Sequence, residues 1–192
     1  MPSFEYDLAF LQAGVPELQA YLLSNEIYWP LGLATPAGER PYPRMTLGWL
    51  LLARTRLEGH LSAGQPSARS RVVESQFREL DDTRSRWRIA WEKKAAQEFH
   101  ARLTLWANFL NDYRGDKASF ANQYLYEAQR RVMLHLLASA TEIPQHALDL
   151  LAGLDRFLQA VLHPGVFVWE KEIAPGFPPV RYWYLYGTLP KR

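Results

Sequence analysis

From about Ser67 to Tyr113 the spacing of apolar residues, mostly three or four positions apart, is helical throughout. At 100° per residue, Val73, Phe77, Leu80, Trp87, Trp91, Phe99, Trp106, Phe109 and Tyr113 fall on one face of a helix. Arg71, Arg78, Arg86, Lys93 and His100 fall nearly opposite, with Glu79 and Asp82 among them. A straight helix of that length spans roughly 70 Å at 1.5 Å per residue. A compact chain of this size has a radius of gyration of only about 16 Å. The helix therefore breaks or protrudes, and the Asp and Thr of "DDTRS" at 81–85 are good N-caps, which puts the break there. Gly115 ends the element, Asp116 or Ser119 opens the next, and that helix runs to about Ala138. The pattern predicts two antiparallel helices folded about Gly115.

Shorter elements flank this hairpin. Ser3 caps a helix ended by Gly14, and Pro16 suits the first turn of a second helix running to about Ser24. In "NEIYWPLGLATPAGERPYPR" the apolar front half is expected to pack on the body, leaving only 35–43 loose. Thr46 caps "LGWLLLARTRLEGHL", and "SAGQPSARS" separates that helix from the long one. After it, a helix with Pro144 in its first turn runs from about 143 to Leu162. The period then changes: "VFVWEKEI" and "VRYWYLYG" alternate around the turn-forming "APGFPP", as a β-hairpin does. Pairing Glu172 with Arg181 sets Trp169 beside Tyr184 and Phe167 beside Tyr186. The expected fold is mainly α: a helical bundle with a long central antiparallel helix hairpin and a C-terminal two-stranded β-hairpin. One domain is expected over 1–192, with a helical body over 1–163 and the β-hairpin over 164–192.

Composition narrows the chemistry. Nearly half of the 192 residues are hydrophobic and 22% are charged, as in globular chains. A formal net charge of +2 leaves any basic function local. The absence of cysteine excludes disulfides, thiol catalysis and thiolate-bound zinc. "MPSFEYDLAF" lacks a cationic start followed by an apolar run, and "GWLLLA" is too short to cross a bilayer, so a cytoplasmic protein with no membrane contact is expected. No glycine-rich phosphate loop and no histidine pair with helical metal spacing occurs, and no cofactor or metal is expected.

Arg84, Glu98 and Arg102 interrupt the apolar seam. On the next helix Glu127, Arg131 and His135 stand at successive i, i+4 positions. If the helices fold back about Gly115, facing residues have numbers summing to about 230. That register sets Arg102 against Glu127 and Glu98 against Arg131, forming a charge ladder of Glu98, Arg102, Glu127 and Arg131 that fixes how the helices align. No partner is evident for Arg84. Glu98, Arg131 and His135 are also the best candidates for catalysis, an acid and a base beside an anion-stabilising cation.

Within "RRVMLH", Arg130 and His135 are similar in spacing to the Arg and His of the HEPN ribonucleases, which implies an all-helical dimer and metal-independent RNA cleavage. Arg131 stands where that family carries a polar residue, and Arg54 with His60 and Arg156 with His163 share the spacing. Arg and Lys beside Trp in "SRWRIAWEKK" suggest nucleic-acid binding, through Arg71, Arg78, Arg86 and Lys93 as a phosphate track. Helical phase instead assigns Trp87 and Trp91 to the core. The reading favoured by the sequence is a non-catalytic interaction or scaffolding module that binds its own copy or another protein. Nucleic-acid binding, with RNA ahead of DNA, is the alternative.

Overall fold

The apolar seam forms, and it bends. In a computed structural model that describes residues 3–64 and 67–192, the seam is divided between helix α4 (Ser67–Arg86) and helix α5 (Arg88–Gly115). Gln65 and Pro66 of the expected linker lie outside the described residues, as do Met1 and Pro2. The bend is at Trp87 (φ −112°, ψ 34°), just past the expected 81–85. Asp81 is not free to cap a new helix there, because its carboxylate accepts from Arg54 at 2.6 Å. Bonds from Trp87 N to Thr83 O and from Trp91 N to Trp87 O carry the ladder across the bend.

Asp116 does open the next element, its side chain accepting from Ser119 N at 3.1 Å. A short α6 (Lys117–Phe120) and a 3-10 turn (Ala121–Gln123) reverse the chain, and α7 (Tyr124–Ala140) returns along α5. Trp91, Phe99, Trp106 and Tyr113 of α5 are buried with Tyr124, Ala128, Val132 and Leu137 of α7. α8 (Gln145–Val161) packs on α5, with Pro144 as its N-cap residue.

Helix α3 (Leu47–Ser62), capped by Thr46, lies between α1 (Phe4–Gly14), α7 and the C-terminal segment. The short α2 (Leu18–Leu23) ends beside α4 and α5. In the connection to α3, Trp29 and Leu31 pack on the core, while Leu33 is 64% exposed. Residues 35–43, expected to be loose, are tied to α1. Tyr42 packs on Tyr6 and Phe10, Tyr6 Oη donates to Pro41 O, and Ser3 Oγ donates to Glu39.

The chain ends in a two-stranded antiparallel sheet, β1 (His163–Pro164) against β2 (Gly187–Thr188), with His163 opposite Thr188. Between the strands the expected long alternation is replaced by 3-10 turns at Lys171–Gly176 and Trp183–Leu185. Prolines 175, 178 and 179 cannot donate to a ladder, and the rings between them pack around Phe177. Phe167 meets Tyr186 as expected (centroids 5.3 Å), whereas Trp169 turns to Phe177 (5.2 Å). Gly59 and Gly176 let this segment touch α3, since a Cβ on Gly59 would lie 2.5 Å from Ile173 O. One cluster of buried apolar side chains runs from Phe4 through every long helix to Leu189.

Candidate functional site

The charges that interrupt the seam meet the N-terminus of α3. Glu98 is fully buried, and its two oxygens accept from Gly48 N at 3.1 and 3.0 Å. Arg102, one turn on, donates from Nε to Glu98 Oε1 at 2.5 Å and from Nη2 to Thr46 Oγ1 at 2.8 Å. The carboxylate thus sits where unpaired helix N–H groups and the helix dipole favour negative charge. Gly48 is required by the close approach, because a Cβ there would lie 2.5 Å from Glu98 Oε1 and 3.2 Å from Met133 Cβ.

Of the two within-helix pairs of the expected ladder, Glu98 with Arg102 is present, whereas Glu127 with Arg131 and the cross-helix pairs are replaced. Arg131 turns to α8, donating from Nε and Nη2 to the two oxygens of Asp155 at 2.8 and 2.7 Å. Its guanidinium lies 4.5 Å from the centroid of the Tyr184 ring. Glu127 pairs with Arg130 on its own helix. Burial pushes the Arg130 guanidinium below its usual pKa, with Tyr126 opposing and the charge of Arg102 adding to the fall. The sum rule concerns height along the hairpin and leaves rotation about each axis open, and one residue of rotation, 100°, turns a side chain to a different neighbour.

The three catalytic candidates accordingly stand in separate surroundings. Glu98 serves the α3 terminus, Arg131 is held by Asp155, and His135 lies half-buried on the Tyr182 ring at 4.8 Å. Burial, then Arg131 and Arg181, hold the His135 imidazole below its usual pKa. Of the two residues with HEPN-like spacing, Arg130 is therefore engaged by Glu127 and His135 by an aromatic ring. Among the described residues no group of three His, Cys, Asp or Glu side chains is placed to hold a metal ion, and no helix is long and apolar enough to cross a membrane.

Other buried charges lie outside the expected ladder. Asp7 and Arg56, both almost fully buried, form a two-bond pair at 2.8 and 2.8 Å. Burial outweighs the Arg56 charge and raises the Asp7 carboxyl to about 6. Lys94 is 3% exposed and donates to Ser24 O at 2.8 Å and Glu26 O at 2.7 Å, with its ammonium 4.8 Å from the Tyr21 ring centroid. Arg84 finds its partner at the C-terminus of α7, donating to Ala140 O at 3.0 Å over the Trp91 ring.

Among the surface clefts of the described residues, two bear on binding. A cleft of about 460 Å³ lies between α7 and the C-terminal segment, lined by Arg40, Leu125, Tyr126, Gln129, Val168, Trp169 and Glu170. Leu125 and Tyr126 are 46% and 54% exposed there, and Trp169 Nε1 donates to Leu125 O. A larger groove of about 650 Å³ follows the α4–α5 bend against the end of α2. Arg71, Arg78, Arg86 and Lys93 are all exposed along α4 and α5, and the last two reach this groove. Trp91 is sealed in the core, while Trp87 lines the groove half-buried. Comparisons with protein-family models, with curated proteins and with solved structures found no match for this chain.

Proposed function

We propose that the chain acts by binding protein, as a non-catalytic module that associates with its own copy. The reading is carried by one observation: Leu125 and Tyr126 stand in water beside Val168 at the mouth of the α7 cleft. Apolar side chains that adjoin around a cleft mark contact surfaces, whereas single ones are ordinary. The cleft also carries charges of both signs, Arg40 and Glu170. A patch that meets its copy about a two-fold axis needs that property to avoid like-charge repulsion. Trp169 braces the patch from beneath through its bond to Leu125 O, so the surface is formed before a partner arrives.

The test is a variant with Leu125→Asp and Tyr126→Asp, studied by light scattering. Both side chains are exposed, so the reading expects an unchanged melting temperature and a shift of the particle mass to that of one chain. An associated mass unaffected by the double change would refute this surface. A second reading, RNA or DNA binding, draws on the exposure of all four members of the Arg71, Arg78, Arg86 and Lys93 stripe. Changing Arg78, Arg86 and Lys93 together to Glu should then abolish a salt-dependent gel shift, and absence of any shift at low salt would remove that reading.

A further inference from the structure

We infer that the groove at the α4–α5 bend is a second contact site, distinct from the α7 cleft, and that it receives an acidic amphipathic segment of another protein. Its apolar elements are Leu22 and Leu23 of α2, with Trp87, Ile89 and Ala90 just past the bend. Leu23 is 56% exposed and Ile89 77%, so two aliphatic side chains flank the groove in water. Helical phase sets this arrangement, because Ile89 lies about 180° around the helix from the buried Leu80 and so faces away from the core.

Charge selects the occupant. Arg86, Arg88, Lys93 and Lys94 all line the groove, and among its described lining residues there is no Asp or Glu. Arg88 shares its charge with Glu92 at 3.3 Å, and Lys94 is spent on the carbonyls of Ser24 and Glu26. Arg86 and Lys93 stand exposed at the rim, where a partner's carboxylates would meet them. The free α2 carbonyl end is thus already neutralised from inside by Lys94, and the field facing outward is positive.

The same features decide among anionic partners. A space of about 650 Å³ lies in the range that holds a few side chains or one small ligand. The outward stance of Leu23 and Ile89 favours a partner large enough to cover them. A nucleic acid would need an open aromatic face, and Trp87 is half-buried with its Nε1 enclosed. An amphipathic helix with carboxylates beside an apolar stripe satisfies both the aliphatic flanks and the cationic rim.

The full chain would be titrated by fluorescence anisotropy against three labelled probes. The first is a peptide of about 16 residues with Leu at i, i+3, i+4 and i+7 and Glu elsewhere. The second replaces every Glu by Lys, and the third is poly(U) of roughly 20 nucleotides. Binding of the acidic peptide is expected to weaken about tenfold with Ile89→Asp or Leu23→Asp, and about tenfold with Arg86→Glu plus Lys93→Glu. Arg71→Glu plus Arg78→Glu, on α4 away from the groove, should leave it unchanged, and the Lys peptide should not bind. Thermal melts of each variant establish that the fold is intact. No saturable binding of the acidic peptide up to about 1 mM would overturn the inference. So would binding indifferent to Ile89→Asp and Leu23→Asp, or poly(U) that binds as tightly and displaces the peptide.

Discussion

Replacing Arg131 by Ala separates a structural charge from a catalytic one. The guanidinium makes both of its bonds to Asp155, at 2.8 and 2.7 Å, and lies against the Tyr184 ring. The Arg131 side chain is 8% exposed and that of Asp155 19%. Removing one member of a buried pair costs about 3 to 5 kcal/mol, because the other charge is left uncompensated. Water still reaches Asp155, which sets the loss near the lower end, at about 3 kcal/mol. The lost contact with the Tyr184 ring adds about 1 kcal/mol. For a chain of this length each kcal/mol is worth about 2 to 4 °C, so Arg131→Ala should lower the melting temperature by roughly 10 °C. Circular dichroism followed through the melt and through urea unfolding measures both quantities. Arg131→Met combined with Asp155→Leu strands no charge and should recover most of the loss. A melting temperature unchanged by Arg131→Ala would refute the structural role, as would a double variant no better than the single one.

Other positions test the same physics. Gly48→Ala forces a Cβ against the Glu98 carboxylate and should destabilise by about 1 to 3 kcal/mol, despite the gain in helix propensity. Gly153→Ala on α8, whose nearest neighbour would be Arg156 Nη2 at 3.8 Å, should instead stabilise by about 0.5 to 1 kcal/mol in the same urea titration. Asp7 holds its proton to about 6 when folded, above the usual carboxylate value of 3.8. The folded state therefore binds more protons than the unfolded one between those values, and this group's contribution to stability falls as pH rises through that window. The difference in unfolding free energy between the native protein and Asp7→Asn, followed from pH 4 to 7, should show that slope; a flat difference would contradict it.

The helices and their caps were legible because they depend on local chemistry. Ser3, Thr46 and Asp116 each accept from a backbone N–H three residues on. The hairpin of α5 and α7 follows from period and turn alone, and its cross-helix partners do not, since one residue of rotation moves a side chain to another neighbour. Asp7, Arg56 and Asp155 each interrupt an apolar stripe, between Phe4 and Leu11, Leu52 and Gly59, and Leu151 and Leu158. That signal was available, and it marks a buried charge without naming its partner. Lys94 and Arg84 bind carbonyls at the ends of other elements, and such acceptors leave no mark on the sequence. In the C-terminal segment, alternation announced strands, while prolines and ring packing kept the strands to two residues each and coiled parts of the chain between them into 3-10 turns.

Association of the native chain is the property on which the functional account turns, and sedimentation equilibrium reads it without mutation. Across a range of loading concentrations, the account expects a mass rising toward twice the 22.2 kDa of a single chain. A mass that stays at 22.2 kDa at every concentration would contradict it.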